Sequence, residues 1–269
     1  MPVMLVTGVS TGIGNALARR VAAERGWTVI GTVRSPGDPA AFGLSAEVVL
    51  MPLDLGDPES VRELVKRVLS ERGTPDVIVN NAGFVRYGPI EEEPAERIEE
   101  IFRVNVFSAV ALITGFLPAM RERGSGLIVN VTSLGGRLVF PFFATYNATK
   151  HALEAYSEGL WHELKPFGVR VKAIEPGYVE TPIYKAMDER AEPTGPYARA
   201  VSAMNAFSDS ITKRTSPEGA AEEIWAAITD TSDRLRYPVA AYARPLLAAR
   251  RIFGDLAFMR FMHKRWMGE

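Results

Sequence analysis

An α/β domain with a mostly parallel sheet is what this sequence predicts, on three observations. Short β-rich apolar runs alternate with longer segments of helical periodicity. The strand-like runs are apolar throughout, as in a sheet covered on both faces. No internal repeat or low-complexity linker interrupts the 269 residues, so one domain is expected.

The first strand, 3–7, ends in "TGVSTGIG". Gly8, Gly12 and Gly14 fall in the turn before a helix over 13–25, where a larger side chain would hold a phosphate away from backbone N–H groups. Such a turn is an anion site, because free amides and the helix dipole face the ligand together. The spacing is neither G-x-G-x-x-G nor a Walker loop, and glycines in a tight turn can be purely structural. Their place after the first strand favours a dinucleotide. Strands over 28–33 and 48–51, a helix over 60–71 and a strand over 77–79 follow, the last running into "NNAG".

A long helix is expected over 96–121. Its uncharged stretch 106–120 is too short to span a bilayer and contains Gly115 and Pro118, so it reads as a buried helix. The strand 127–131 runs into "NVTS", and the helix 146–165 opens with "YNATK". Tyr146 and Lys150, one turn apart, project from one face of it. Chance places such pairs in many helices, as a ring beside a solvated charge. A strand over 169–174 leads to "PGYVETP", and a helix over 217–229 and a strand over 235–239 complete the alternation. Between them, 178–216 is rich in Pro, Gly, Ser and Met and follows a strand's carboxyl end. That is the position of a substrate lid, or of a mere surface excursion.

Composition narrows the chemistry. A net charge of -1 gives no reason to expect nucleic acid or an anionic membrane as partner. The absence of cysteine excludes disulfides and thiol catalysis and fits a cytoplasmic location. His151, His162 and His263 lack metal-ligand spacing, so no metal site is expected. The opening "MPVMLVTG" does not have the pattern of a secretory signal.

Taken in order, "TGVSTGIG", "NNAG", Asn105, "NVTS", "YNATK" and "PGYVETP" resemble the short-chain dehydrogenase/reductase family, through about residue 230. The resemblance implies a doubly wound Rossmann-type domain with a seven-stranded parallel sheet, a nicotinamide dinucleotide, and hydride transfer between alcohol and carbonyl. It implies Tyr146 as proton donor or acceptor and Lys150 as the group that tunes it and holds the nicotinamide ribose. Ser133 would orient the substrate oxygen, and Asn105 would hold a relay water. An adjacent ammonium is expected to lower the phenol pKa from near 10.

Cofactor contacts carry over in the same way. Gly8 and the run Ser10, Thr11, Gly12, Ile13 and Gly14 would line the pyrophosphate and adenosine ribose. Asp54 and Leu55 would meet the adenine, with Asn81, Ala82 and Gly83 beneath the adenosine. Pro176, Gly177, Val179 and Thr181 would fix the carboxamide. Members that use NAD end the second strand in an acidic residue; here Val33 stands there, followed by Arg34. A guanidinium without a competing carboxylate favours NADP(H) over NAD(H). Thr11 departs from the basic residue that many NADP-binding members carry in the glycine turn.

The substrate is read from "FVRYGP", "GGRLVFPFFA", Tyr184, Met187, Met204 and Phe207, an apolar wall suited to a hydrophobic carbonyl or secondary alcohol. Aromatics in a core or dimer face would look the same. An NAD-dependent dehydrogenase, an epimerase or dehydratase, and a non-catalytic dinucleotide-binding regulator are the alternatives. The regulator would be expected to lose Tyr146 or Lys150, and both are present. A homodimer or homotetramer, pairing the helices 96–121 and 146–165, is the family habit.

The segment 240–269 is expected to be a C-terminal helical extension of two helices broken at Gly254. From Arg234 onward eight basic residues face two acidic ones. The tail is expected to pack beside the lid and wall the pocket rather than to lie on a membrane.

Overall fold

The computed structural model describes residues 1–184 and 195–267. Seven strands form its sheet: β1 (Val3–Thr7), β2 (Thr28–Val33), β3 (Val49–Pro52), β4 (Val77–Asn80), β5 (Gly126–Val131), β6 (Val169–Pro176) and β7 (Arg236–Val239). They lie in the order β3-β2-β1-β4-β5-β6-β7, every neighbouring pair parallel. Strand order reverses beside β1, the position at whose carboxyl end open sheets of this kind bind ligands.

Alternation along β1 separates the two faces of the core. Met4 and Val6 pack with Leu17 and Val21 of α1 (Gly12–Ala22) and Ile224 and Ile228 of α7 (Pro217–Thr229). Leu5 faces the other way, toward Leu64 and Val68 of α2 (Pro58–Arg72) and Leu112 and Phe116 of α4 (Ser108–Arg123). Local chemistry fixes where helices begin. Asp57 accepts from the Glu59 N–H at 2.9 Å, Ser216 accepts from the Gly219 N–H at 3.1 Å, and a proline follows each.

The expected helix over 96–121 is α3 (Ala95–Phe102) and α4, joined without a break by a π turn over Arg103–Phe107. The 29 residues Ala95–Arg123 are long and apolar enough to cross a membrane by composition. Leu112, Ile113, Phe116 and Met120 are nevertheless buried against the sheet, so this is a core helix. The segment 178–216 is not irregular throughout, because α6 (Ala198–Asp209) lies within it. Its buried positions Val201, Met204 and Ser208 follow helical spacing. Residues 185–194 of that segment, Met187 among them, and residues 268–269 lie outside the described residues.

α5 (Ala144–Leu164) flanks the sheet beside β6, and the chain ends in α8 (Ala243–Phe253) and α9 (Asp255–Met267), which meet at Gly254 with φ +75°. Phe258, Met262 and Trp266 of α9 pack with Met204 of α6 and with Leu134 and Leu138 after β5. The tail thus forms a third apolar cluster beyond the carboxyl edge of the sheet.

Candidate active site

Four elements bring the sequence-predicted residues together. On α5, Tyr146 and Lys150 sit one turn apart with the Lys150 Nζ 5.8 Å from the Tyr146 ring centre. From the end of β5, Ser133 reaches the same place; its hydroxyl accepts from the Gly135 N–H at 2.9 Å and hydrogen-bonds Tyr146. The π turn carries Asn105, whose Oδ1 accepts from the Phe84 N–H at 3.0 Å and whose Nδ2 donates to the Phe84 carbonyl at 2.9 Å. A Cβ added at Gly83 would meet Asn105 Oδ1 at 2.9 Å and Lys150 Nζ at 3.7 Å, so the three residues converge at close quarters. The π turn widens the helix just where Asn105 must reach inward, a common use of such turns at functional sites.

Lys150 is buried, and its ammonium donates to the Val131 carbonyl at 2.9 Å. Burial lowers its pKa to about 8, while the Glu154 carboxylate one turn along α5 pulls the other way. Glu154 is itself held by the Thr132 hydroxyl at 2.6 Å and Arg236 Nε at 2.9 Å. Tyr146 departs from the expectation. Burial pushes its phenol pKa up, against the smaller opposing effect of the Ser133 hydrogen bond. The Lys150 ammonium donates to the Val131 carbonyl, and desolvation dominates at the phenol. A raised pKa keeps the phenol protonated at neutral pH, the form that can give a proton.

The buried ammonium has a measurable consequence. Between about pH 8 and the ordinary lysine value of 10.5 the unfolded chain binds the proton that folded Lys150 has released. Stability therefore rises with pH across that window, by up to about 3 kcal/mol, and this group adds no slope below it. Denaturant unfolding across the window should show this rise in the parent and not in Lys150→Met, after subtracting what both share. Parallel pH dependences would mean that the ammonium is solvated.

Beside this group lies the glycine turn. Gly8 (φ +72°) and Gly12 (φ +62°) are left-handed, and a Cβ on Gly12 would meet Thr181 Cγ2 at 3.3 Å. The α1 N-terminus has no side-chain cap from Thr11 and no acidic residue in its first turn. Ser10 and Thr11 are exposed, Ile13 is partly so, and Gly14 is buried. Free amides, a positive dipole end and room kept by glycine are what a pyrophosphate requires, so the donors fit a dinucleotide. Asn81 braces the turn, its Nδ2 donating to the Thr7 carbonyl at 2.9 Å, while the Asn81 and Ala82 N–H groups each donate to Thr7 Oγ1 at 3.0 Å.

The remaining cofactor candidates stand at or just after the carboxyl ends of β2, β3 and β6. Val33 is buried at the end of β2, and Arg34 is exposed with no ion pair among the described residues. Asp54 caps its own turn through the Gly56 N–H at 2.8 Å, with Leu55 partly buried beside it. Pro176 and Val179 are buried, and the Gly177 N–H donates to the Val239 carbonyl at 3.0 Å.

A half-open cavity extends from Ser133 and Tyr146 and is walled by Val85, Leu134, Phe140, Phe143, Ile183 and Met204. Phe207 does not line it but meets Trp266 edge to face, with ring centres 6.4 Å apart. Tyr87 also stands back, its hydroxyl donating to Asn205 Oδ1 at 2.7 Å. The tail contributes a second layer: Trp266 packs 5.2 Å from Phe140, so it supports the wall without lining it. The Tyr184 side chain and Met187 lie outside the described residues.

The sequence reading does not single out the cavity walls Leu134 and Ile183, nor the roles of Thr7 and Asn147. Thr7 holds the Asn81–Ala82 backbone, and its signal was only its place before the glycine turn. Asn147 lines the cavity, donates Nδ2 to the Phe140 carbonyl at 3.0 Å, and leaves its buried Oδ1 without a hydrogen-bond partner. It stands inside "YNATK", beside the residue that drew attention to the motif.

A sequence model described as short chain dehydrogenase matches residues 2–192. An uncharacterized oxidoreductase of Schizosaccharomyces pombe is 34% identical over 239 residues, covering 88% of this chain and 100% of that protein. The NADPH-dependent 3-dehydrocapnine reductase of Ornithobacterium rhinotracheale is 30% identical over 97% of this chain and 95% of its own length. Among solved structures, a short-chain dehydrogenase from Streptomyces avermitilis superposes with a TM-score of 0.82 at 33% identity, covering 98% of this chain and 95% of that one. Other solved relatives carry NADP in one case and NAD in another. With this fold, this glycine turn and these matches along its length, the chain belongs to the short-chain dehydrogenase family of oxidoreductases.

Proposed function

We propose that the chain is an NADP(H)-dependent reductase of apolar ketones, acting in reverse on the matching secondary alcohols. The observation that carries this is the Ser133–Tyr146 hydroxyl pair at one end of a mostly apolar cavity, whose other polar lining side chains include Asn147 and Ser208. A carbonyl oxygen is the group in an apolar substrate that such a pair can receive, because both hydroxyls donate.

The first-turn amides of α1 would hold the pyrophosphate, Arg34 the 2′-phosphate, and Lys150 the nicotinamide ribose. When bound, the reduced dinucleotide supplies the hydride that reaches the carbonyl carbon. Ser133 donates to the carbonyl oxygen and fixes its position. Tyr146 transfers its phenolic proton to that oxygen as charge develops there. The phenolate left behind accepts a hydrogen bond from the new alcohol, and the Lys150 ammonium, 5.8 Å from the ring centre, offsets its charge. Asn105, locked to Phe84, keeps the floor beneath Lys150 in place and holds the water through which the replacement proton reaches Tyr146 by way of Lys150. Phe140, Phe143 and Met204 exclude bulk water and select an apolar body. A relative whose name specifies NADPH and a dehydro substrate supports the same direction and cofactor.

Cofactor choice has its own test. Arg34→Ala removes a charge-assisted contact worth about 1.5–3 kcal/mol, so NADPH affinity should fall by roughly one to two orders of magnitude while NADH is nearly untouched. Adding Val33→Asp should move preference to NADH. Equal losses for both cofactors in a titration of bound fluorescence would mean that Arg34 does not read the 2′-phosphate. For assembly, we propose a homo-oligomer paired through α4 and α5, near which Phe107 and Tyr156 stand exposed.

A further inference from the structure

The tail points apolar side chains in two directions. Phe258, Met262 and Trp266 face the protein and are at most 6% exposed. Ile252, Phe253, Leu256, Met259 and Phe261 are 60–77% exposed, five of the twelve large apolar side chains exposed among the described residues. They fall within ten consecutive residues around the α8–α9 corner at Gly254. Scattered single apolar residues on a surface need no explanation, but a concentration of this kind marks a contact.

Its charge selects the partner. Arg251, Arg260, Lys264 and Arg265 are all exposed and form no ion pair among the described residues. The one acid described in α8 and α9, Asp255, is already neutralised by Arg250 at 2.8 Å. A second copy of this chain fits poorly, because a two-fold contact would bring the same four cations face to face. An anionic lipid surface fits both features: apolar side chains enter the headgroup boundary and cations meet lipid phosphates.

We propose that the α8–α9 tail is a docking surface for an anionic bilayer. Its inner face backs the substrate cavity through Trp266 on Phe140 and Phe258 and Met262 on Met204. Docking therefore holds the cavity close to the phase in which apolar ketones concentrate. The local excess of cations overrides what the nearly neutral whole chain suggests, since charges beyond a Debye length contribute little.

The test is co-sedimentation of the full chain with vesicles of phosphatidylcholine and phosphatidylglycerol, and with vesicles of phosphatidylcholine alone. Binding to the anionic vesicles should be at least about tenfold stronger and should weaken with salt. Arg251→Gln/Arg260→Gln/Lys264→Gln should lower anionic binding on the order of a hundredfold, about fivefold per charge. Ile252→Ser/Phe253→Ser/Leu256→Ser should lower binding at least tenfold while turnover of a water-soluble ketone stays at the parent value. Failure of the parent to sediment with anionic vesicles overturns the proposal, as does binding that neither variant weakens. Self-association by light scattering that the apolar variant abolishes, without vesicle binding, would assign the surface to a second copy instead. Vesicle binding is read without turnover, so this proposal can fail while the catalytic reading stands.

Discussion

Tyr146→Phe is expected to fold, to bind NADPH like the parent, and to lose about 10²–10⁴-fold in kcat. The substitution removes one oxygen, and Ser133 keeps its bond from the Gly135 N–H, so the loop after β5 has no reason to move. The loss comes from the proton: phenylalanine has none to give, and the oxygen developing charge then faces an apolar cavity with Ser133 alone. Because Tyr146 is kept in its protonated form by burial, reduction should depend on it across the neutral range. A Phe variant with near-parental kcat at matched cofactor saturation would remove Tyr146 from the chemistry.

Gly14→Ala should be as damaging for a different reason. A methyl group there would come closer than 3.0 Å to the Asn81 amide nitrogen and to the Gly8 carbonyl. Neither can retreat cheaply. The Gly8 carbonyl is backbone at a left-handed turn, and the Asn81 amide is bonded to the Thr7 carbonyl at 2.9 Å. The turn must open, which is expected to cost about 3 kcal/mol of stability by overpacking. Displaced amides no longer converge on a pyrophosphate, so cofactor affinity should fall at least about a hundredfold. Thermal unfolding and cofactor titration read the two effects separately. A variant with parental melting and affinity would show that the turn has room the packing denies.

Most of the fold was legible because it is written in local patterns. The strands are short apolar runs, and sequence reading places β1 and β2 with their observed ends. The glycine turn announces itself because its φ values near +60° to +70° are ones that only glycine adopts freely. The residues of "NVTS" and "YNATK" converge because consecutive strand ends and one helix face leave them nowhere else to go.

What stayed hidden depends on long-range packing. The α6 helix was masked by a segment rich in Pro, Gly and Ser, although Val201, Met204 and Ser208 carry its period. The π turn at Asn105 adds a residue to a helical turn without any mark in composition. The direction of the Tyr146 shift was misread because the sequence shows the neighbouring ammonium but not the burial. The tail shows a related limit. Its two helices and the break at Gly254 could be read, whereas which apolar side chains turn outward required the contacts of Phe258, Met262 and Trp266.

The central claim is a hydride delivered to a carbonyl carbon beside Ser133 and Tyr146, and isotope transfer tests it most directly. NADPH carrying deuterium at both C4 positions of the nicotinamide is incubated with the protein and a panel of apolar ketones, and the alcohol products are analysed by mass spectrometry. The predicted result is an alcohol carrying one deuterium on its carbinol carbon, formed from a single enantiotopic face. The yield should collapse with Tyr146→Phe. Unreduced ketones beside intact NADPH across the panel, or alcohol without deuterium at that carbon, would contradict the account.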